Sequence, residues 1–480
     1  MSVELLAPAG NREKLQMALH YGADAVYLGG QAYGLRAYAG NFAGESLIEA
    51  IQYTHQQGKK AYVTVNIFAH NRDLDGLPEY LEQLAAAQAD GIIVADPGVV
   101  AIAKRTVPDL PIHLSTQANV TNAAAARFWA EQGVKRIVLA RELSIEEIRQ
   151  IRQAVDIELE VFIHGAMCMS YSGRCLISDY LTGRQANKGE CAQACRWRYG
   201  LVEEKRPDMV FPIEEDERGS YIFNASDLCL LEAIPELCEA GVNSMKIEGR
   251  MKSVHYVATV ARVYRQALDR YLQKGSKRIS PEWWDELTKI SHRQYTTGFL
   301  YGRPGQDTEK TEQREYDFVG LVQDYNPVTK QATIEVRNRI VSGDLLEIVG
   351  PSNPPFLLIA HEMVDQETGE VIEKAPRPHQ RIQLKVRRPV QPFDLVRRPK
   401  AGGEESFIQV AVDRAHIFYL DIFLEGFGHL GVPTTVDKEA GLLLIRTTPD
   451  TREEVLRILR TLPWPVQIFG DNVTIGETVE

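Results

Sequence analysis

The chain has 480 residues, of which 44% are hydrophobic and 25% charged, and its formal net charge is −11. This is the profile of a globular protein with more than one folding unit, and the acidic balance argues against non-specific coating of nucleic acid while leaving room for a local basic groove. The opening MSVELLAPAG has neither a basic n-region nor an apolar h-region, and no uninterrupted apolar run is long enough for a bilayer, so a cytoplasmic protein without membrane association is expected.

The first half repeats one unit, a short apolar strand followed by an amphipathic helix. Strands are expected at Glu4–Ala7, Ala25–Leu28, Lys60–Asn66, Gly91–Ala95, Ile112–Thr116, Arg136–Ala140, Glu158–Ile163 and Ser244–Ile247. NREKLQMALHYGA reads as a helix capped by Asn11 and Gly22, and SIEEIRQIRQAV as one with Ser144 and Glu147 in a capping box. Eight such strands suggest an α/β fold, a (β/α)8 TIM-like barrel. The alternative, an open doubly wound sheet, usually carries a Gly-rich loop after its first strand, where this chain has APAGNRE.

Between the seventh and eighth strands lie 79 residues, Gly165 to Asn243, and all six cysteines fall there. Connections of that length are usually functional. After the eighth strand come two helices, SVHYVATVARVYRQALDRYLQ and SPEWWDELTKI. The barrel with its flanking helices is assigned to residues 1–312. Alternating segments such as DFVGLVQDYN and QATIEVRN then suggest a small antiparallel β-barrel domain over 313–400. Residues 405–480 read as a small α+β module, with strands at IFYLDIFLEG and GLLLIRT, a helix at TREEVLRILRTL and a closing strand PVQIFG.

Four cysteines cluster with the spacing Cys168, six residues, Cys175, fifteen residues, Cys191, three residues, Cys195. Buried thiols acting as small hydrophobes suit Cys229 and Cys238 better than these four, whose neighbours are Gly, Ser, Arg and Gln. Structural zinc favours two short knuckles, and only one pair here is close. The wider, uneven spacing with Arg174, Arg184, Lys188, Arg196 and Arg198 around it favours an iron–sulfur cluster, because cations promote thiolates and offset cluster charge.

In barrels of this kind the active site lies at the C-terminal face. The strand ends offer Asn66, Asp96, Ser115, Gln117, Asn119, Arg141, Glu142 and His164, then Lys246, Glu248 and Arg250 in MKIEGRMKS. His164, Lys246, Glu248 and Arg250 are the catalytic candidates. Arg141 and Arg174 are candidates for holding a cofactor, with a small carboxylate molecule as the ligand that Arg and Lys would attract.

The stretch EVFIHGAMCMSYSGRCLIS, from Glu160 to Ser178, is similar to the signature of the U32 peptidase family, the collagenase-like proteases. LLAPAG, GADAVYLGG, CAQACRWRY and MKIEGRMKS resemble that family too. Length and the β-domain resemble its tRNA uridine hydroxylation branch. The resemblance implies an oxygen-independent hydroxylase with a 4Fe-4S cluster on Cys168, Cys175, Cys191 and Cys195, and with Cys229 as a possible replacement ligand. It implies C5 hydroxylation of the wobble uridine to 5-hydroxyuridine, with prephenate as cosubstrate or oxygen donor. Other substrates in the family are an rRNA cytidine and ubiquinone precursors. A tRNA anticodon loop would meet a basic surface drawn from Arg174, Arg184, Lys188, Arg196, Arg198 and Lys252, with KVRRP and LVRRPK as further candidates. Tyr171, Trp197 and Tyr199 are available for stacking. Peptidase activity is disfavoured: HEMVD at His361 lacks the second histidine of a zinc helix, there is no G-x-S-x-G, and thiols committed to a cluster leave none to pair with His164.

Overall fold

The computed structural model describes residues 3–30, 33–34, 41–168, 170–172, 174–184, 191–192, 194, 202–203, 206–210, 215–216, 219–220, 226–302, 315–400, 406–427 and 430–469. They fall into two compact units, Met1–Arg314 and Glu315–Glu480. Among the described residues no helix is long and apolar enough to cross a membrane.

In the first unit eight parallel strands close into a barrel. They are Glu4–Ala9, Ala25–Gly29, Lys60–Val65, Gly91–Val94, Ile112–Leu114, Arg136–Val138, Glu158–Ala166 and Ser244–Ile247. Each pairs with the next, and the eighth pairs with both the seventh and the first. The expected N-terminal caps form: Asn11 accepts from the Lys14 amide, and Ser144 and Glu147 make a reciprocal capping box; the first helix ends on Tyr21, with Gly22 next at φ +101°. Leu6, Ala25, Tyr27, Tyr62 and Ile93 fill the barrel interior. At the N-terminal ends of the strands, Arg136 bridges Glu4, Glu158 and Glu160, and Tyr62 and Ser244 donate to Glu4.

Strand seven does two jobs. Its first part closes the barrel against strands six and eight. Its pairing with strand eight then shifts register between Lys246 and Ile247, and Gly165 takes a φ of +114°. From His164 to Ala166 it also pairs with Asp227–Cys229, an antiparallel strand outside the barrel that pairs onward with Tyr295–Thr296, and His164 keeps Ile247 of strand eight as a partner. A Cβ on Gly165 would lie 2.8 Å from the Glu248 carbonyl oxygen and 2.9 Å from the Tyr256 hydroxyl. The signature therefore needs glycine there for both conformation and space.

The second unit opens with an eight-stranded antiparallel sheet between Tyr316 and Pro399, folded around one apolar core that includes Val322, Ile334, Leu346, Ile348 and Val396. Ser406–Ala411, helix Ile417–Glu425, Gly431–Asp437, Leu442–Thr447, helix Pro449–Arg460 and Gln467–Phe469 follow. This is a βαββαβ module, with sheet order second, third, first, fourth strand. IFYLDIFLEG is thus a helix, not the expected strand. Its run of apolar residues hides the period, and Ile417, Leu420 and Leu424, at helical spacing, are the ones buried.

Candidate active site at the barrel mouth

Arg250 organises the C-terminal mouth. It is 4% exposed, and its Nη1 donates to Thr64 Oγ1 of strand three at 3.2 Å. To get there the side chain crosses strand two at Gly29, where a Cβ would sit 1.9 Å from Nη1. Its carbonyl oxygen lies 2.3 Å from where a Cβ on Gly10 would be, and accepts from Lys14 Nζ. The glycines of LLAPAG and GADAVYLGG and the arginine of MKIEGRMKS are therefore parts of one interlock.

A polar belt lines the rest of the mouth. Asn66, just past strand three, donates to Gln117 Oε1 at 2.9 Å, and Ser115 Oγ lies 3.3 Å from the same oxygen. Asn119, at φ +53°, donates its amide to the Gln117 carbonyl. Arg141, just past strand six, donates to the Ala166 carbonyl at 2.6 Å and stacks 4.0 Å from the Phe162 ring centroid. Its Nη2 lies 4.0 Å from Glu248 Oε2, which Tyr27 also approaches. Gln117 Nε2, Asn119 Oδ1 and Arg141 Nε are buried with no protein partner. Burial raises the Glu142 carboxyl above its usual value. Asp96 instead caps helix Pro97–Thr106, accepting from Gly98 and Val99.

Two catalytic candidates lie apart from this belt. Lys246 points into the barrel core, 2.8 Å from the fully buried Glu160, with Tyr27 and Phe162 rings over its ammonium. Burial works against an ionised Glu160, but Lys246 and Arg136 outweigh it and hold the carboxyl below its ordinary value. His164 packs against helix Val254–Lys274, with Nδ1 3.3 Å from the Tyr264 hydroxyl and its ring among Tyr256, Tyr264 and Tyr295. Burial, with Lys252 and His292 adding, pushes it down to about 3, so the ring is neutral. The register shift in strand seven is what turns it there, and no sequence pattern announced that shift.

The cysteine loop follows strand seven. Cys168 is exposed, and Cys175 and Cys191 are partly exposed. Arg174 lies over the Phe68 ring. Ser178, 2% exposed, accepts from the Ala192 amide and donates to the Arg184 carbonyl, latching the two cysteine-bearing pieces together. Among the described residues no three His, Cys, Asp or Glu side chains gather into a metal-holding group. Cys195 lies outside the described residues, as do Lys188, Arg196, Trp197, Arg198 and Tyr199. Cys229 is buried beside Tyr264, and burial pushes its thiol up to about 11, which disfavours the thiolate a ligand needs.

In the second unit LVRRPK offers no open basic face. Arg397 is fully buried against Glu347, and Arg398 pairs with Asp344. A surface cavity beside Arg127, Glu131, Lys135 and Asp156 lies at the opposite end of the barrel from the mouth.

A closed parallel barrel with a polar mouth and a thiol-bearing loop on its C-terminal face defines a (β/α)8-barrel protein of the kind whose site is built on its βα loops. The chain belongs to peptidase family U32: the family model matches residues 10–310 and that of the family's C-terminal domain residues 314–397. Residues 410–466 match a domain of unknown function, DUF4911. The chain is 44% identical to tRNA hydroxylation protein P1 of Bacillus subtilis (strain 168), covering 83% of this chain and 95% of that protein. It is 37% identical to tRNA hydroxylation protein P of Escherichia coli (strain K12), over 78% of this chain and 91% of that one. The 23S rRNA 5-hydroxycytidine C2501 synthase of Escherichia coli (strain K12) is 36% identical over 63% of this chain and 46% of its own length.

Proposed function

We propose that this protein hydroxylates tRNA, placing oxygen on C5 of the wobble uridine, with the barrel mouth as the site. The likeness to a tRNA hydroxylation protein over 83% of the chain carries the reading. The mouth supports it, because buried donors and acceptors without protein partners suit a polar planar ligand. The exposed Tyr171 and the exposed Arg174 beside it could stack a splayed base and meet its phosphates. A 4Fe-4S cluster on Cys168, Cys175, Cys191 and Cys195 belongs to the proposal, as does prephenate near Arg141. Replacing C5–H by C5–OH is a two-electron oxidation, so a co-reactant must supply oxygen and accept electrons.

Mass spectrometry of tRNA nucleosides tests this. A deletion strain should lose 5-hydroxyuridine and its derivatives, and a plasmid copy should restore them. Unchanged wobble uridines in the deletion strain would end the proposal. A peptidase reading would need a base for Cys168. His164, four residues earlier, makes its ring contacts with tyrosines on the outer side of strand seven.

A further inference from the structure

We infer that the exposed face of helix Ile417–Glu425 is a self-pairing surface, on which a second copy of this chain docks by two-fold symmetry. The inference stands independently of the hydroxylase reading above.

Phe418, Tyr419, Ile422 and Phe423 recur at i, i+1, i+4 and i+5, opposite the buried Ile417, Leu420 and Leu424, and Phe427 continues the stripe past the helix end. The five residues are between 36% and 67% exposed. At about 150–250 Å2 per aromatic side chain, the four rings leave roughly 400 Å2 of apolar surface in water. A contiguous patch of that size on one short element marks an interaction site. The rings already pack on one another, Phe418 with Tyr419 at 6.0 Å and Phe423 with Phe427 at 5.5 Å between centroids, so a partner has little ordering left to impose.

Charge and shape select the partner. From Ile417 to Phe427 the chain carries Asp421 and Glu425 and neither Lys nor Arg. The arginine just before the helix, Arg414, pairs with Glu439. RNA and anionic lipid surfaces both call for cations, so neither suits this face. The sequence after Phe469, GDNVTIGETVE, is acidic with three scattered apolar residues, and does not match an aromatic stripe flanked by carboxylates. A second copy does match. Gly426 is exposed at φ −61°, a conformation open to any residue, and a Cβ there would meet the Phe423 and Ile422 carbonyl oxygens of its own helix at 3.3 and 3.8 Å and, among the described residues, nothing else within 4 Å. Neither its backbone nor its described surroundings call for a glycine. In an antiparallel pair with the two-fold axis between Ile422 and Phe423, Tyr419 of each copy falls on Gly426 of the other, seven residues along the same stripe. A ring then meets a vacant position twice, the self-complementarity that an isologous contact requires, and the two helix dipoles oppose. The patch is smaller than the ~800 Å2 per partner of a standard interface, which sets the expected dissociation constant in the micromolar range.

Sedimentation velocity of the full chain tests this. Wild type should pass from monomer to dimer between roughly 1 and 100 µM. Ile422→Glu and Ile422→Lys each set like charges across the axis and should weaken self-association about a hundredfold or more. Mixing the two should restore a dimer, an outcome that pairing of this face with itself predicts and a surface for some other partner does not. Gly426→Gln fills the space left for Tyr419 and should weaken self-association about tenfold or more. A wild type still monomeric at about 100 µM overturns the inference. So does a dimer that all three variants leave unchanged, a mixture that stays monomeric, or binding of wild type through Ile422 to tRNA or to phosphatidylglycerol vesicles in place of dimerisation. If the Ile422 variants melt early, Gly426→Gln decides: undiminished self-association of that variant overturns the inference.

Discussion

Replacing Lys246 with methionine separates a counter-ion of the barrel core from a participant in the reaction. Glu160 is completely buried, 2.8 Å from Lys246 Nζ and 3.1 Å from Arg136 Nη1. The same guanidinium also serves Glu4 and Glu158. Without Lys246, three carboxylates share one cation. Removing one partner of a buried pair costs about 3–5 kcal/mol, because the other charge stays behind uncompensated. Spread over the barrel unit, Met1–Arg314, at about 2.1 cal/mol/K of unfolding entropy per residue, that loss lowers the melting temperature by roughly 5–8 °C. Adding Glu160→Gln removes the stranded charge and should recover most of the loss. Acid sensitivity follows the same logic. The lowered carboxyl of Glu160 contributes stability above its unfolded pKa of about 4.3, and that contribution fades as pH falls through the folded value. Losing Lys246 raises the folded value, so acid unfolding of the variant begins at higher pH. The assay is thermal unfolding of purified variants across pH, beside nucleoside analysis of tRNA. A variant that melts within a degree of wild type yet hydroxylates nothing would refute the core role and make Lys246 part of the chemistry.

Three further outcomes are expected. Gly165→Ala combines a φ of +114° with a Cβ 2.8 Å from the Glu248 carbonyl oxygen, and should destabilise by about 2 kcal/mol or more, read as a shifted urea midpoint. His164 and His113 both sit near 3 in the fold because they are buried, so between about pH 6.5 and 3 the unfolded chain binds more protons and stability falls as pH drops. Replacing His164 with asparagine should flatten that part of the stability–pH curve, and an unchanged slope would count against its neutral burial. Under the cluster proposal, Cys168→Ala and Cys191→Ala proteins prepared without air should each lose most of their iron and acid-labile sulfide, whereas Cys238→Ala should keep wild-type content. Equal iron in all three would remove those thiols as ligands.

The barrel was legible because its strands are short, continuous apolar runs separated by amphipathic helices, and all eight lie where that rhythm placed them. The mouth was legible as a list of strand-end residues but not as an arrangement. Sequence could not show that the ring of His164 turns outward, because that depends on a register shift between two strands eighty residues apart. Nor could it tell Lys246 from Arg250: both are cations of MKIEGRMKS, yet one lies in the core beside Glu160 and the other crosses Gly29 to Thr64. The helix at Ile417–Glu425 was lost because nearly every residue in it is apolar or aromatic, which erases the contrast between faces. Ser178 had a signal available, since it closes the quoted signature, but its partners in Ala192 and Arg184 are visible only in three dimensions.

The divided pairing of strand seven sets how far disturbance of the thiol loop can travel. Residues 158–162 are stitched into the wall, His164 is held by both the wall and a separate ribbon at Asp227–Cys229, and 165–166 by the ribbon. That ribbon is a firebreak: unravelling that starts among the cysteines meets a second, independent set of backbone bonds before it reaches the wall. Under the cluster proposal the loop would be rebuilt around the group while the cylinder behind it stays shut, and amide exchange should show the two ends of one strand opening on different clocks.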